Sequence, residues 1–133
     1  MAPYEVMLSK YRELLGNTSV LLQRKGSEEC NLGNVVADSF RFYPWNDIDI
    51  SFINSGGLRS SLMPGNITLE DAYSVLPFNN SQFRVEIKGH ELKSVLSERL
   101  KDGKKFLQVS GARLFYRKTY NSDEWILEEI EVE

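Results

Sequence analysis

A single cysteine and a single histidine are the scarcest chemistry in this chain of 133 residues. One cysteine, Cys30, excludes an internal disulfide and any cysteine-based metal cluster, and taken alone a lone thiol fits an intracellular protein. One histidine, His90, is too few for the usual transition-metal or two-metal sites, so an exposed or helix-capping role is expected for it. Cys30 and His90 are far apart in sequence, and neither a Gly-x-Ser-x-Gly elbow nor a Gly-x-x-x-x-Gly-Lys loop is present. No apolar run approaches the ~20 residues that span a bilayer, and Met1-Ala2-Pro3 is not followed by the apolar core of a signal peptide. Positive charge is short as well: 16 Lys and Arg against 19 Asp and Glu leave a net charge of −3. That balance argues against a nucleic-acid backbone as the main partner, because such binding needs a basic face to release counterions.

What is present suits one ordinary domain, with 41% apolar residues and no visible linker. Residues 3–15 carry Tyr4, Met7, Leu8, Tyr11, Leu14 and Leu15 at helical spacing, and Gly16-Asn17 stops the pattern. Residues 19–23 read as a short strand and 24–29 as a polar loop. Residues 31–43 form a second helix, with Asn31 as N-cap, Leu32, Val35, Val36, Phe40 and Tyr43 on its apolar side, and Pro44 ending it. Asp38 lies in mid-helix near that side and needs a partner. Residues 47–52 alternate as a strand with Ile48, Ile50 and Phe52 inward. Thr68-Leu69-Glu70-Asp71 has the form of a capped helix start, closed about two turns later by Pro77. Residues 82–88 alternate cleanly, which predicts a strand with Phe83, Val85 and Ile87 buried. Residues 90–101 make the last helix, stopped by Asp102-Gly103, with Leu92, Val95, Leu96 and Leu100 on its buried side. Strands at 106–109, 112–118 and 125–132 follow, the last two joined by a turn at Asn121-Ser122-Asp123. The order is too irregular for a doubly wound fold. It predicts an α+β domain in which a mixed β-sheet packs with about four helices.

The stretch Asn54-Ser55-Gly56-Gly57-Leu58-Arg59 is the candidate binding loop. Gly56 and Gly57 remove Cβ atoms from the approach to the backbone and permit φ > 0, so successive N–H groups could converge on an anion. Arg59 offers a planar fork for phosphate or carboxylate, and Asn54 an amide that both donates and accepts. A Gly-Gly turn followed by a solvated arginine is the competing structural reading. Phe78, on the irregular segment Leu76-Pro77-Phe78-Asn79-Asn80, is either a loop anchor or a platform for a flat ligand.

Taken together, Glu29-Cys30-Asn31-Leu32-Gly33-Asn34-Val35-Val36-Ala37-Asp38, Asn54-Ser55-Gly56-Gly57-Leu58-Arg59, Gly65-Asn66-Ile67-Thr68 and Val75-Leu76-Pro77-Phe78-Asn79-Asn80 resemble the C-terminal domain of the 5′-nucleotidase, UDP-sugar hydrolase and apyrase family. Gly89-His90-Glu91-Leu92 and Phe106-Leu107-Gln108-Val109-Ser110-Gly111 continue the pattern over nearly the whole chain. The resemblance makes residues 1–15 the helix that joins the family's two domains and residues 16–133 the C-terminal-like domain. It implies that Asn54 contacts a base, Arg59 a phosphate, and Phe78 one face of the base, with Gly56 and Gly57 lining the same site. Asp38 falls on a position implied to hold the Gly-Gly turn. In the family the metal chemistry belongs to a separate domain with two divalent ions, so no catalytic residue, metal ligand or cofactor is expected in this chain.

The chain departs from the family pattern in three places. The metallophosphatase domain is not among these residues, and a Gly-Gly-Asp-Gly-Phe stretch carrying the second aromatic ring would lie past Glu133. Losing one face of a base sandwich should cost about 1–3 kcal/mol. Gly26 stands where the family usually has an arginine, with Arg24 nearby, and Lys25 stands where extracellular animal members carry the disulfide partner of Cys30. The resemblance implies a module for AMP, ADP or adenosine that is not catalytic by itself. The alternative is a free-standing, non-catalytic relative that sequesters another ligand or a protein. The resemblance and the sequons at Asn17, Asn66 and Asn79 imply a secreted glycoprotein. Sheet edges left uncovered predict a homodimer or strand exchange.

Overall fold

The computed structural model describes residues 3–101, 106–122 and 124–133. Helix α1 (Pro3–Tyr11) leads into strand β1 (Leu14–Thr18), helix α2 (Asn31–Phe42) and strand β2 (Ser51–Asn54). A 3₁₀ turn at Ser55–Gly57 follows, then β3 (Gly65–Thr68), α3 (Leu69–Val75), α4 (Gly89–Leu100), β4 (Leu107–Ser110), β5 (Ala112–Lys118) and β6 (Trp125–Val132). This is the α+β architecture with about four helices that the sequence predicts. Among the described residues its strands pair antiparallel as β1–β3, β2–β4 and β5–β6, in three two-stranded sheets.

Two cores organise these elements. Cys30, Leu32, Val36, Leu58 and Val75 form one, with Leu22, Phe40, Ile53, Leu62 and Leu76 packed around it. Leu96, Leu100 and Leu127 form the other, with Phe52, Leu92, Leu107, Leu114, Trp125 and Ile130 against it. Successive residues of a strand point to opposite faces, so Phe52 and Ile53 on β2 reach different cores. Strand β2 therefore separates the two clusters and belongs to both.

Several local expectations are corrected. The first helix ends at Tyr11 rather than at residue 15, because Leu14 and Leu15 enter β1, where Leu14 pairs with Thr68 of β3 and Leu15 sits at a register shift. Tyr4 and Met7 lie outside the described side chains, while Tyr11 meets Tyr73 of α3 edge to face at 5.6 Å. Residues 19–23 contribute only the Leu22–Leu62 bridge, and residues 65–68, whose strand lacks any alternation signal, supply β1's partner. Helix α2 is capped by Cys30, whose Sγ accepts from Gly33 N–H at 3.3 Å, and not by Asn31. Asn31 instead ties the preceding segment, accepting from Gln23 N–H at 2.7 Å and donating to Leu21 O at 2.8 Å. Val35, Tyr43 and Val95, expected on apolar faces, are exposed. Residues 82–88 form no strand, and Phe83, Val85 and Ile87 face outward. The expected helix stop at Asp102-Gly103 and the Asp123 end of the last turn lie outside the described residues.

The capping box of α3 is as the sequence predicts. Thr68 Oγ1 accepts from Asp71 N–H at 3.3 Å, and the Asp71 carboxylate accepts from Thr68 N–H at 2.7 Å. The Thr68 hydroxyl, and after it the Thr68 backbone N–H, hold the Asp71 carboxyl below its ordinary value. A carboxyl depressed in the folded state stabilises above its unfolded pKa of about 4, and the contribution fades as pH falls through the lower folded value. Asp71→Asn is therefore expected to lower the urea midpoint at pH 6 and to flatten its decline in acid, as followed by circular dichroism between about pH 6 and pH 2.5. An unchanged acid profile would show that the box contributes nothing to stability.

Candidate functional site

The loop after β2 is held from inside so that its polar side chains point out. Leu58 is fully buried in the first core. Its N–H donates to Ser55 O at 3.2 Å, which closes the 3₁₀ turn. The Leu58 carbonyl accepts from Arg24 Nε. On either side of the loop, Ser55 N–H donates to Phe106 O at 3.0 Å and Arg59 N–H donates to Val75 O at 2.9 Å. Burial of Leu58 between these anchors leaves Asn54 and Arg59 exposed at the two ends of one short turn.

The glycines serve close packing, not a left-handed backbone. Neither Gly56 nor Gly57 has positive φ, a conformation found only at Gly65 and Gly111 among the described residues. The expected nest of converging N–H groups is thus not formed, because a 3₁₀ turn keeps every residue right-handed. A Cβ on Gly57 would stand 3.3 Å from Asn54 Oδ1 and 3.7 Å from Ile53 Cδ1, and one on Gly56 would stand 3.4 Å from Asn54 Nδ2. The Asn54 amide therefore folds back over the glycines, and it makes no hydrogen bond within the described residues.

Arg59 and Phe78 are brought together. The guanidinium carbon lies 5.7 Å from the ring centroid, within cation–π range. Phe78 is 52% exposed, which favours a platform over a buried loop anchor. Among the described residues no carboxylate pairs with Arg59, in contrast to Arg41, Arg84 and Arg117, which each hold a glutamate or aspartate. An exposed cation with no counter-ion among the described residues, set beside an exposed ring, offers chemistry suited to a ligand with an anionic group and a flat face. His90 is exposed on α4. No group of three or more His, Cys, Asp or Glu that could hold a metal exists among the described residues.

Two supports escape sequence reasoning. Gln108 is fully buried on β4, where alternation alone gives no reason for a polar residue. Its Oε1 accepts from Cys30 N–H at 3.1 Å, and its Nε2 donates to Glu28 O at 3.0 Å and to Ser55 Oγ at 2.8 Å. Gly33 makes room for it, since a Cβ there would overlap the Gln108 side chain. Asp38 does not hold the Gly-Gly turn. It accepts from Ser110 Oγ at 2.5 Å, and Ser110 pairs with Ser51, at the far end of β2 from Asn54. Ser51 Oγ in turn donates to Ala37 O at 2.5 Å, so α2 fastens the start of the strand and Gln108 its end.

Comparison with known proteins decides the lineage. The family described as 5′-nucleotidase, C-terminal domain, matches residues 11–131. The chain belongs to this family. A 5′-nucleotidase-related protein of Glossina morsitans morsitans is 31% identical over 87% of this chain, and the snake venom 5′-nucleotidase of Macrovipera lebetinus is 34% identical over 80% of it. The chain spans only 24% and 31% of the lengths of those two relatives. Among solved structures, a 5′-nucleotidase precursor from Thermus thermophilus aligns over 96% of this chain and 27% of its own, with a TM-score of 0.76 and 27% identity. The NAD nucleotidase of Haemophilus influenzae shares the fold, with a TM-score of 0.81 at 22% identity over 97% of this chain and 26% of its own. As a 5′-nucleotidase C-terminal domain, the chain is not the metallophosphatase part of such enzymes.

The supporting amide gives a direct test. Gln108→Leu keeps the volume and removes three hydrogen bonds, leaving the Cys30 N–H and Ser55 hydroxyl without their buried partner. A loss of about 2–4 kcal/mol in urea unfolding is expected. A loss below about 0.5 kcal/mol would mean that the amide is replaceable.

Proposed function

We propose that this domain binds the nucleoside part of a nucleotide such as AMP or ADP, or adenosine itself, and is not catalytic by itself. Asn54 would contact the base edge, Phe78 one face of the base, and Arg59 the phosphate, while Gly56 and Gly57 keep the floor of the site low. The observation that carries the reading is the exposed Arg59 guanidinium beside the open Phe78 ring, with no carboxylate partner among the described residues. Family membership supports it, as does the nucleotidase name shared by relatives in venom and in bacteria. Residues up to Tyr11 would then be the connection towards a phosphatase domain, whose metals would supply the chemistry.

A secreted setting accords with the venom relative and with sequons whose asparagines Asn17, Asn66 and Asn79 are all exposed. No described helix is long and apolar enough to cross a membrane.

Calorimetric titration with AMP and adenosine tests the reading. Arg59→Ala should weaken AMP by about 1.5–3 kcal/mol and leave adenosine unchanged or slightly tighter, because only the phosphate needs the fork and a base no longer has to displace the cation from the ring. Phe78→Ala should weaken both ligands by about 1–3 kcal/mol through lost stacking. Equal losses for both ligands on Arg59→Ala would remove the phosphate role. An inert parent domain would leave a non-catalytic relative that sequesters some other ligand or a protein.

A further inference from the structure

Residues 82–88 carry the alternation of a strand but pair with no strand among the described residues. Between Pro77 and α4, the backbone of residues 79–87 makes no hydrogen bond with any described residue. Phe83 is 86% exposed, Val85 78% and Ile87 47%. Arg84 forks onto the Asp47 carboxylate at 3.0 and 2.8 Å, which directs this one side chain towards the protein while Phe83, Val85 and Ile87 project into solvent. A segment of alternating residues with unpaired backbone and an apolar outer face is a template for strand addition.

The segment's own sequence specifies the occupant. We infer that it pairs with the same segment of a second copy, antiparallel and centred on Val85, giving a twofold dimer. In that register Val85 faces Val85, Phe83 faces Ile87, Gln82 faces Lys88, and Arg84 faces Glu86 twice. Glu86 has no ion-pair partner among the described residues, and Arg84 of the second copy would shift from its own Asp47 to meet it. A parallel in-register pair would set Arg84 against Arg84 and Glu86 against Glu86. Antiparallel centres at residue 84 or 86 would likewise place like charges opposite one another, which destabilises a ladder. Moving the pairing by one residue would set charged residues against apolar ones. Of the centres at 84, 85 and 86, only Val85 matches both faces, and it alone pairs all seven residues 82–88.

One strand pair covers less than a standard interface of roughly 1,200–2,000 Å², so the dimer is a weak one, half-formed at about 0.1–1 mM. Sedimentation equilibrium of the full chain from about 10 µM to 1 mM should therefore show the mean mass rising from one chain towards two. Val85→Cys should cross-link on mild oxidation, since the centre residue faces its own copy with Cα atoms about 5 Å apart, whereas Phe83→Cys places its two thiols about 14 Å apart and should not. Cys30 is buried and does not compete. Glu86→Arg and Arg84→Glu chains should each be monomeric, and an equimolar mixture should form a heterodimer, with circular dichroism verifying that both remain folded. A monomer throughout the concentration range overturns the proposal, as would be seen if some other segment or protein were the true occupant. Equal cross-linking of the Phe83→Cys and Val85→Cys chains, or a dimer indifferent to both charge reversals, overturns it as well.

Discussion

A single buried amide fixes the geometry on which the rest of this domain depends. Gln108 joins the N-terminus of α2, the preceding Glu28 carbonyl and the Ser55 hydroxyl at the head of the candidate loop. A primary amide can be buried this completely only if its donors and acceptor are met, since an unmet polar group in a dry core costs about 1–3 kcal/mol. Its geometry is therefore exacting, and Gly33 is the concession that α2 makes to it. With the head of the loop tied to β4 by Gln108 and its tail tied to Val75 by the Arg59 N–H, little freedom remains in the backbone between them. The side chains at either end make no hydrogen bond or ion pair among the described residues, so rigidity and availability are divided between backbone and side chains.

That division sets how an anion can be held. A nest of backbone N–H groups would bind phosphate without help from any side chain, whereas with a right-handed 3₁₀ turn the proposed phosphate contact would fall to the Arg59 guanidinium. The same guanidinium leans on the Phe78 ring. A phosphate that draws it away would free that face of the ring for a base, and a bare nucleoside stacking there would have to displace the cation. The two ends of a nucleotide would thus assist one another at this site, although each group acts on a different part of the ligand.

Some local signals in the sequence are readable, and the non-local ones are not. Thr68 and Asp71 cap α3 as their spacing predicts, because both partners lie within one turn. Strand β1 was hidden in the tail of a helical stripe, since Leu14 and Leu15 continue the spacing of Leu8 and Tyr11, and its partner β3 shows no alternation. Residues 82–88 illustrate the opposite failure. Their alternation fixes which side chains share a face, but whether either face is covered depends on distant parts of the chain, and the tertiary ion pair here is Arg84 on Asp47, thirty-seven residues earlier. Within the candidate site, Asn54, Gly56, Gly57, Arg59 and Phe78 could be named from residue type and family resemblance, whereas Gln108 could not. Its role rests on contacts with residues 53 and 80 positions away.

The position of β2 links these observations. A two-stranded antiparallel sheet is marginal in water by itself, so β2 and β4 must draw their stability from what packs on each side. Ile53 takes support from the core around Leu32 and Leu58, and Phe52 from the core around Leu96 and Leu127. Asn54 ends β2 opposite Leu107, which itself packs in the second core. Loosening the helix–hairpin half of the molecule would therefore reach Asn54 through a single strand pair, without any change in the residues that contact a ligand. The candidate loop lies at the seam between two modest cores, and its order depends on both.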